Sequence, residues 1–296
     1  MSLTQAEAAK LSNNMMLRGV IETIVKDAPV LSFLPFMDVT GTAVTYNREA
    51  TMPAAVFYDP LDTWAEAAPT FTQHTALLRI LGGDADVDNF LQATYADTND
   101  VEAEVIANRA KAVAYMFAET FITGDTAVDA KSFDGIRKLT PAGQIVEQAT
   151  NGGAISLPRL DELIDKIRPG KPDLLLMSRR TRRGLKQARR TAGPIIEVSA
   201  TQFGQTFETY DGIPVVVDDF LPDNEVQGSS GAVCSSVYAL KFGMSTGLMG
   251  LQHGGIAVET VGELETKDAT RHRIKWYTGL ALMSELGVAR LRGITG

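Results

Sequence analysis

Cysteine is almost missing from this chain. Of 296 residues only Cys234 is one, so neither an internal disulfide nor a cysteine-based metal cluster can form. It falls in a strand predicted over Ala232–Phe242, where a small buried hydrophobe is the expectation, not a reactive thiol. Histidine is equally scarce: His74, His253 and His272 have no metal-ligand spacing and are expected at a surface or an interface. No stretch approaches the roughly 18 to 20 uninterrupted apolar residues of a membrane helix, and the opening Met1-Ser2-Leu3-Thr4-Gln5 lacks a basic region followed by an apolar one. The expectation is a reducing cytoplasm, or whatever is assembled there, with no membrane contact. Positive charge is in deficit, 28 Lys and Arg against 36 Asp and Glu, giving a net charge of −8. A chain so charged is not built mainly to grip nucleic acid through its phosphates. Nucleotide-binding glycine motifs are missing as well, and no cofactor is expected.

What is present is ordinary globular material, 45% hydrophobic and 22% charged, enough for one large domain or two modest ones. Residues 4 to 27 read as a helix bearing Leu11, Met15, Val20 and Ile24, stopped by Ala28-Pro29. From Val39 to Asp88 the chain reads as two extended limbs, Thr42–Tyr58 and Thr70–Leu81, around a turn-rich tip, Asp59-Pro60-Leu61-Asp62-Thr63-Trp64. A ribbon of that length cannot bury an apolar face by itself, and its open edges invite pairing with another chain. It is expected to lie on a neighbouring subunit.

Asn99-Asp100-Val101-Glu102 then opens the strongest helix signal, which runs to about Ile122 before Gly124. Val101, Val105, Ala110, Val113, Phe117 and Phe121 form its apolar stripe, and at about 1.5 Å per residue it spans on the order of 35 Å. From about residue 150 short helices and strands alternate. Leu160, Leu163, Ile164 and Ile167 give one helical face between Pro158 and Pro169, and Asp173–Ser178 reads as a buried strand. A basic helix follows over Arg179–Arg190, then a turn at Tyr210-Asp211-Gly212-Ile213 leading into the strand Pro214–Val217. Strands over Ile256–Val261, Arg271–Leu280 and Leu286–Leu291 close the chain.

In order and spacing these segments resemble the HK97-fold major capsid proteins of tailed double-stranded DNA bacteriophages. The resemblance rests on the arm ending in Leu34-Pro35-Phe36, on the ribbon from Tyr46-Asn47-Arg48 to Ile80-Leu81-Gly82-Gly83, and on the helix ending Phe121-Ile122-Thr123-Gly124-Asp125. It continues through Phe133-Asp134-Gly135-Ile136 and Tyr210-Asp211-Gly212-Ile213-Pro214-Val215-Val216. It implies an α+β fold with an N-terminal arm (1–38), an extended β-hairpin loop (39–88), a peripheral domain with a spine helix (89–149), an axial domain (150–255) and closing strands of the peripheral domain (256–296). It also implies a structural, non-enzymatic subunit that self-assembles into hexamers and pentamers of a virion shell, assembled in the host cytoplasm around double-stranded DNA, with a portal. The ribbon, with Trp64 and Glu66 near its tip and Arg48 and Arg79 on its limbs, is then expected to cross the next subunit's spine helix. Some members weld the ribbon through a lysine, yet no lysine lies between Lys26 and Lys111. If Met1 is the true start, directly on the arm helix, a separate scaffolding protein is implied.

Two alternatives stand beside this reading. The same fold can form an encapsulin-like compartment for cargo enzymes. Gly243-Met244-Ser245-Thr246-Gly247 matches the nucleophile elbow of a serine hydrolase, with Asp268 and His272 in suitable chain order. The glycines that follow cannot hold the helix that motif needs, and a glycine-rich loop between strands is expected instead. Asp84, Asp86 and Asp88 lack the glycine and glutamate of a calcium loop and read as the solvent side of an extended segment. Finally, Arg179, Arg180, Arg182, Arg183, Lys186, Arg189 and Arg190 crowd the basic helix. Pairing with an acidic patch such as Asp218-Asp219 on a neighbour is favoured over contact with DNA phosphates.

Overall fold

The computed structural model describes residues 29–89, 101–193, 199–202, 205–229 and 231–296. The predicted helix over residues 4 to 27 and the cap Asn99-Asp100 lie outside them. Pro29, expected to stop a helix, begins a short one, α1 (Pro29–Phe33), where its fixed φ and missing N–H suit the first turn.

Strand β1 (Phe36–Asp38) pairs in parallel with β12 (Leu248–Glu263), which pairs antiparallel with β13 (Ala269–Leu282), and β13 in turn with β4 (Arg79–Asp88). This four-stranded sheet carries the spine helix α2 (Val101–Thr123), 23 residues long as the stripe predicted. Ile106, Ala110, Val113 and Ala114 pack on Ile274, with Leu81, Ile256 and Val258 beside them. Toward its C-terminal end Phe117 lies 4.8 Å from the Trp276 ring and 5.6 Å from Phe133. There the helix also reaches Leu174, Leu176, Tyr238 and Leu240 of a second sheet, so one core ties the two sheets together.

That second sheet runs β5 (Ile145–Glu147), β14 (Val288–Thr295), β11 (Ala232–Leu240), β6 (Leu174–Met177), β9 (Ile213–Val217), β8 (Gln205–Tyr210) and β7 (Ser199–Gln202), with β10 (Glu225–Gln227) on β11. Leu174 and Leu176 face the spine side, whereas Leu175 and Met177 face Leu160, Leu163 and Ile164 of α4 (Leu157–Asp165). A strand covered on both faces has no polar side to show, which is why β6 reads as an unbroken apolar run.

The sheets cut the chain in ways periodicity did not foresee. β12 starts at Leu248, so the glycine-rich stretch after Gly247 is strand and not loop, and it runs through position 255 without a break. Gly254 and Gly255, both at positive φ, absorb a register shift between His253 and Ile256. The closing strand β14 lies in the larger sheet, between β5 and β11, and not beside β12 and β13. After the spine, Gly124 and Gly135 pass so closely that a Cβ on Gly135 would sit 2.5 Å from the Thr120 carbonyl oxygen. Gly135 then leads into α3 (Ile136–Leu139).

Candidate functional site: the extended ribbon and the basic helix

The ribbon pairs over a shorter length than its composition suggested. Only β2 (Ala43–Thr51) and β3 (Thr70–Leu77) form ladder bonds, and residues 52 to 69 contain no strand. The second limb is broken at Leu78 and continues as β4 inside the four-stranded sheet. The ribbon is thus an outgrowth of a sheet edge.

Arg48 fixes its root. The guanidinium donates to the Leu282 and Met283 carbonyls, the latter at 3.1 Å, and to Glu285 Oε1 at 2.9 Å. It also lies over the Tyr46 ring, which stacks on His74. Such charge-assisted bonds contribute about 1.5–3 kcal/mol each. Arg48, expected at a subunit contact, is engaged within its own chain. Arg79 opens β4 opposite Thr278; its Nε is buried and has no hydrogen-bond partner among the described residues.

Beyond Thr51 and Thr70 the tip organises itself. Asp59 N–H donates to Asp62 Oδ2 at 2.8 Å, Asp62 N–H to Asp59 O at 3.1 Å, and Ala65 N–H to the Tyr58 hydroxyl at 3.0 Å. Tyr58 and Trp64 stack at 4.4 Å. Around this clasp Phe57 and Leu61 are fully exposed, Trp64 is 78% exposed, and Met52, Val56 and Phe71 are open to water as well. Glu66 is exposed beside them. Burying side chains of this size stabilises by about 1.5–3 kcal/mol each. Six of them match the roughly 4–15 kcal/mol that docking two bodies costs. Of these six, only Trp64 was expected at a subunit contact. Phe57 and Leu61 were signalled by the lack of any apolar partner within the segment.

The basic helix is α5 (Arg179–Ala192), capped by Ser178 Oγ accepting from Thr181 N–H. Two arginines in a first turn oppose the helix dipole, and carboxylates offset them. Arg179 grips Asp219 with two bonds of 2.5 and 2.6 Å, and Arg180 lies 3.5 Å from Asp223. Lys186 pairs with Glu208. Arg189 is buried, donating to Thr209 O at 3.2 Å with its guanidinium over the Tyr210 ring. Tyr210 donates to Asp161 at 2.6 Å, and burial together with that carboxylate raises its pKa. Four of the seven cations therefore hold α5 to its own chain. Arg182, Arg183 and Arg190 have no partner among the described residues. Asp218-Asp219 is no open acidic patch: Arg179 occupies Asp219, and Asp218 is buried, its pKa pushed up to about 6 by desolvation.

The hydrolase constellation does not assemble. Ser245 sits on the exposed turn before Leu248, which pairs with Leu282, whereas Asp268 and His272 lie at the far end of that hairpin, where Glu263 pairs with Thr270. About 14 residues at about 3.3 Å each separate them. Asp268 binds Asn89, and His272, expected at a surface, is 3% exposed between Thr260 and Glu102. Asp84 and Asp86 stand on the outer face of β4, gripped by Arg273 and Arg271, which hold both carboxyls below the usual range. No cluster of metal-ligating side chains occurs among the described residues.

The sequence profile of the phage capsid family matches residues 11–288. No curated protein matches. Among solved structures, the chain is similar to the holo-SrpI encapsulin complex from Synechococcus elongatus PCC 7942, with TM-score 0.72 and 17% identity over 90% of this chain and 87% of that one. It is similar to the capsid of an empty GTA particle, with TM-score 0.66 and 14% identity over 91% and 90% of the two chains. It is also similar to a structure from Mycobacterium phage Adephagia, with TM-score 0.64 and 16% identity over 90% and 89% of the two chains. At such identities the likeness is one of fold, the HK97-like capsid fold.

Proposed function

Since this chain belongs to the phage capsid family, we propose that it is the major capsid subunit of a tailed double-stranded DNA virus, repeated as hexamers and pentamers in the virion shell. Self-association into a shell is the family's structural task, and no catalytic step is involved. The packaged duplex, a portal and a scaffolding protein are the partners this reading adds.

The observation that carries the proposal is the ribbon. A two-stranded element that buries almost nothing of its own, yet keeps Phe57, Leu61 and Trp64 in water, is costly for a monomer and useful only when another subunit covers it. We assign Trp64 and Glu66 to that contact. Without a lysine in the ribbon, strand pairing, apolar contact and ion pairs must hold it.

Residues Asp59–Ala68 are all exposed, so removing them should leave the fold intact. The expected outcome is a folded, soluble subunit that forms no particles by negative-stain microscopy. Intact particles from that deletion would defeat the proposal. An encapsulin-like compartment shares the fold, and the contents separate the two: nuclease-protected DNA supports the virion, co-purifying cargo enzyme the compartment.

A further inference from the structure

Where the spine helix ends at Thr123, a cleft of about 380 Å³ opens between that end, the turn after it, α3 and β14. Such a volume lies within the roughly 300–1,000 Å³ of small-molecule sites. Arg137 and Lys138 from α3 and Arg290 from β14 line it, against one carboxylate, Asp125.

Arg290 is built into the wall. It is 8% exposed, its Nε donates to Ser236 Oγ at 3.1 Å, and its Nη2 donates to both oxygens of Glu225 at 2.8 Å. Its guanidinium lies 5.7 Å from the centre of the Tyr238 ring. Nη1 has no acceptor among the described residues and, unlike Arg79 Nε, is not closed off from solvent. A donor fixed in this way has already lost its side-chain freedom, so a ligand that uses it pays little for ordering.

Arg137 comes within only 3.6 Å of the same Glu225, beyond hydrogen-bond distance, and its N–H groups have no acceptor among the described residues. Glu225 is already taken up by Arg290 and by Ser236 Oγ, which donates to it at 2.5 Å. Lys138 donates to Asp125 at 2.9 Å, a bond that holds the carboxyl below and the ammonium above its usual range. That pair is neutral in sum, whereas Glu225 supplies one negative charge for two guanidinia. The helix end adds about half a negative charge, which reduces the positive excess without cancelling it.

We propose that this cleft binds a phosphate-type oxyanion, held between the Arg137 and Arg290 guanidinia with Lys138 beside it. Planar guanidinia present paired N–H donors that match the oxygens of such a group, and charge-assisted bonds of this kind are the strong ones. The bound group bridges α3 and β14 and therefore stabilises the folded chain by mass action. The site uses no residue of the ribbon and no second copy, so it stands apart from the shell reading. Free phosphate and the phosphodiesters of a nucleic acid strand offer the same chemistry, and the test separates them.

Sodium phosphate is titrated into the full chain against sodium chloride of matched ionic strength, with calorimetric binding and the melting temperature as readouts. Phosphate should bind saturably and raise the melting temperature where chloride does not. Arg137 is exposed, so Arg137→Gln should keep the fold, and it should weaken phosphate binding on the order of tenfold or more. Arg183→Gln removes an equal charge from an exposed position on α5 and should leave phosphate binding unchanged. No saturable binding, equal binding by the unmodified chain and Arg137→Gln, or equal losses from the two variants would each overturn the site. A short single-stranded oligonucleotide is then added to the phosphate-loaded chain. Release of phosphate, with an oligonucleotide affinity that Arg137→Gln lowers, assigns the cleft to phosphodiesters, and retention of phosphate assigns it to the free ion.

Discussion

Asp218 is almost wholly removed from water, with Oδ1 accepting from Phe220 N–H at 2.8 Å and Oδ2 without a partner among the described residues. Burial lifts its pKa from 3.8 to about 6. The folded chain therefore holds a proton that the unfolded chain releases between those values, so stability falls as pH rises from about 4 to about 6 and is level above. Asp218→Asn should raise the melting temperature near pH 7.5, by an amount corresponding to about 1–3 kcal/mol, and should do little near pH 4. An equal gain at both pH values would mean that ionisation is not the cause. Gly135 is sensitive for a steric reason. A Cβ there would meet the Thr120 and Phe121 carbonyls and Gly124 N at 2.5 to 2.8 Å. Gly135→Ala is expected to cost about 1–3 kcal/mol in denaturant unfolding, by forcing the loop off the spine's end. The sequence presents Asp218 and Asp219 as equals, and only packing makes one a buried acid and the other an ion-pair partner.

Among elements, those with a strong internal pattern were legible. The spine's stripe, the face of Leu160, Leu163 and Ile164 and the apolar run of β6 each state their own burial. The ribbon was legible as an extended segment but not in its limits. Nothing local tells β3 to stop at Leu77 or β4 to leave the ribbon for the sheet. The basic helix shows the same division. Its seven cations were visible, but which four bind their own domain depends on Asp219, Asp223, Glu208 and the Thr209 carbonyl, all brought by other strands or turns. Arg182, Arg183 and Arg190 remain to face outward. Charge reversal at Arg182 and Arg183 is expected to reduce the yield of empty shells if this face meets a neighbour. Normal empty shells that hold less DNA would assign the face to the duplex.

For the whole molecule, two sheets share the Phe117–Trp276 core, and the ribbon is a separate two-stranded sheet with both edges open. Limited proteolysis of unassembled subunits should cut between residues 52 and 69, where no backbone ladder protects the chain, and assembly should abolish that cut. Equal cleavage before and after assembly would mean the tip stays in solvent within the particle. By itself the sequence determined the order of elements, the apolar faces that had to be buried, and the existence of a segment unable to bury its own, because periodicity and composition are local quantities. Tertiary structure alone decided that β14 enters the larger sheet, that Arg48 is anchored while Arg79 Nε finds no acceptor among the described residues, and that Ser245 lies a hairpin's length from His272. Each of these depends on which distant strand lies alongside, and no local pattern carries that.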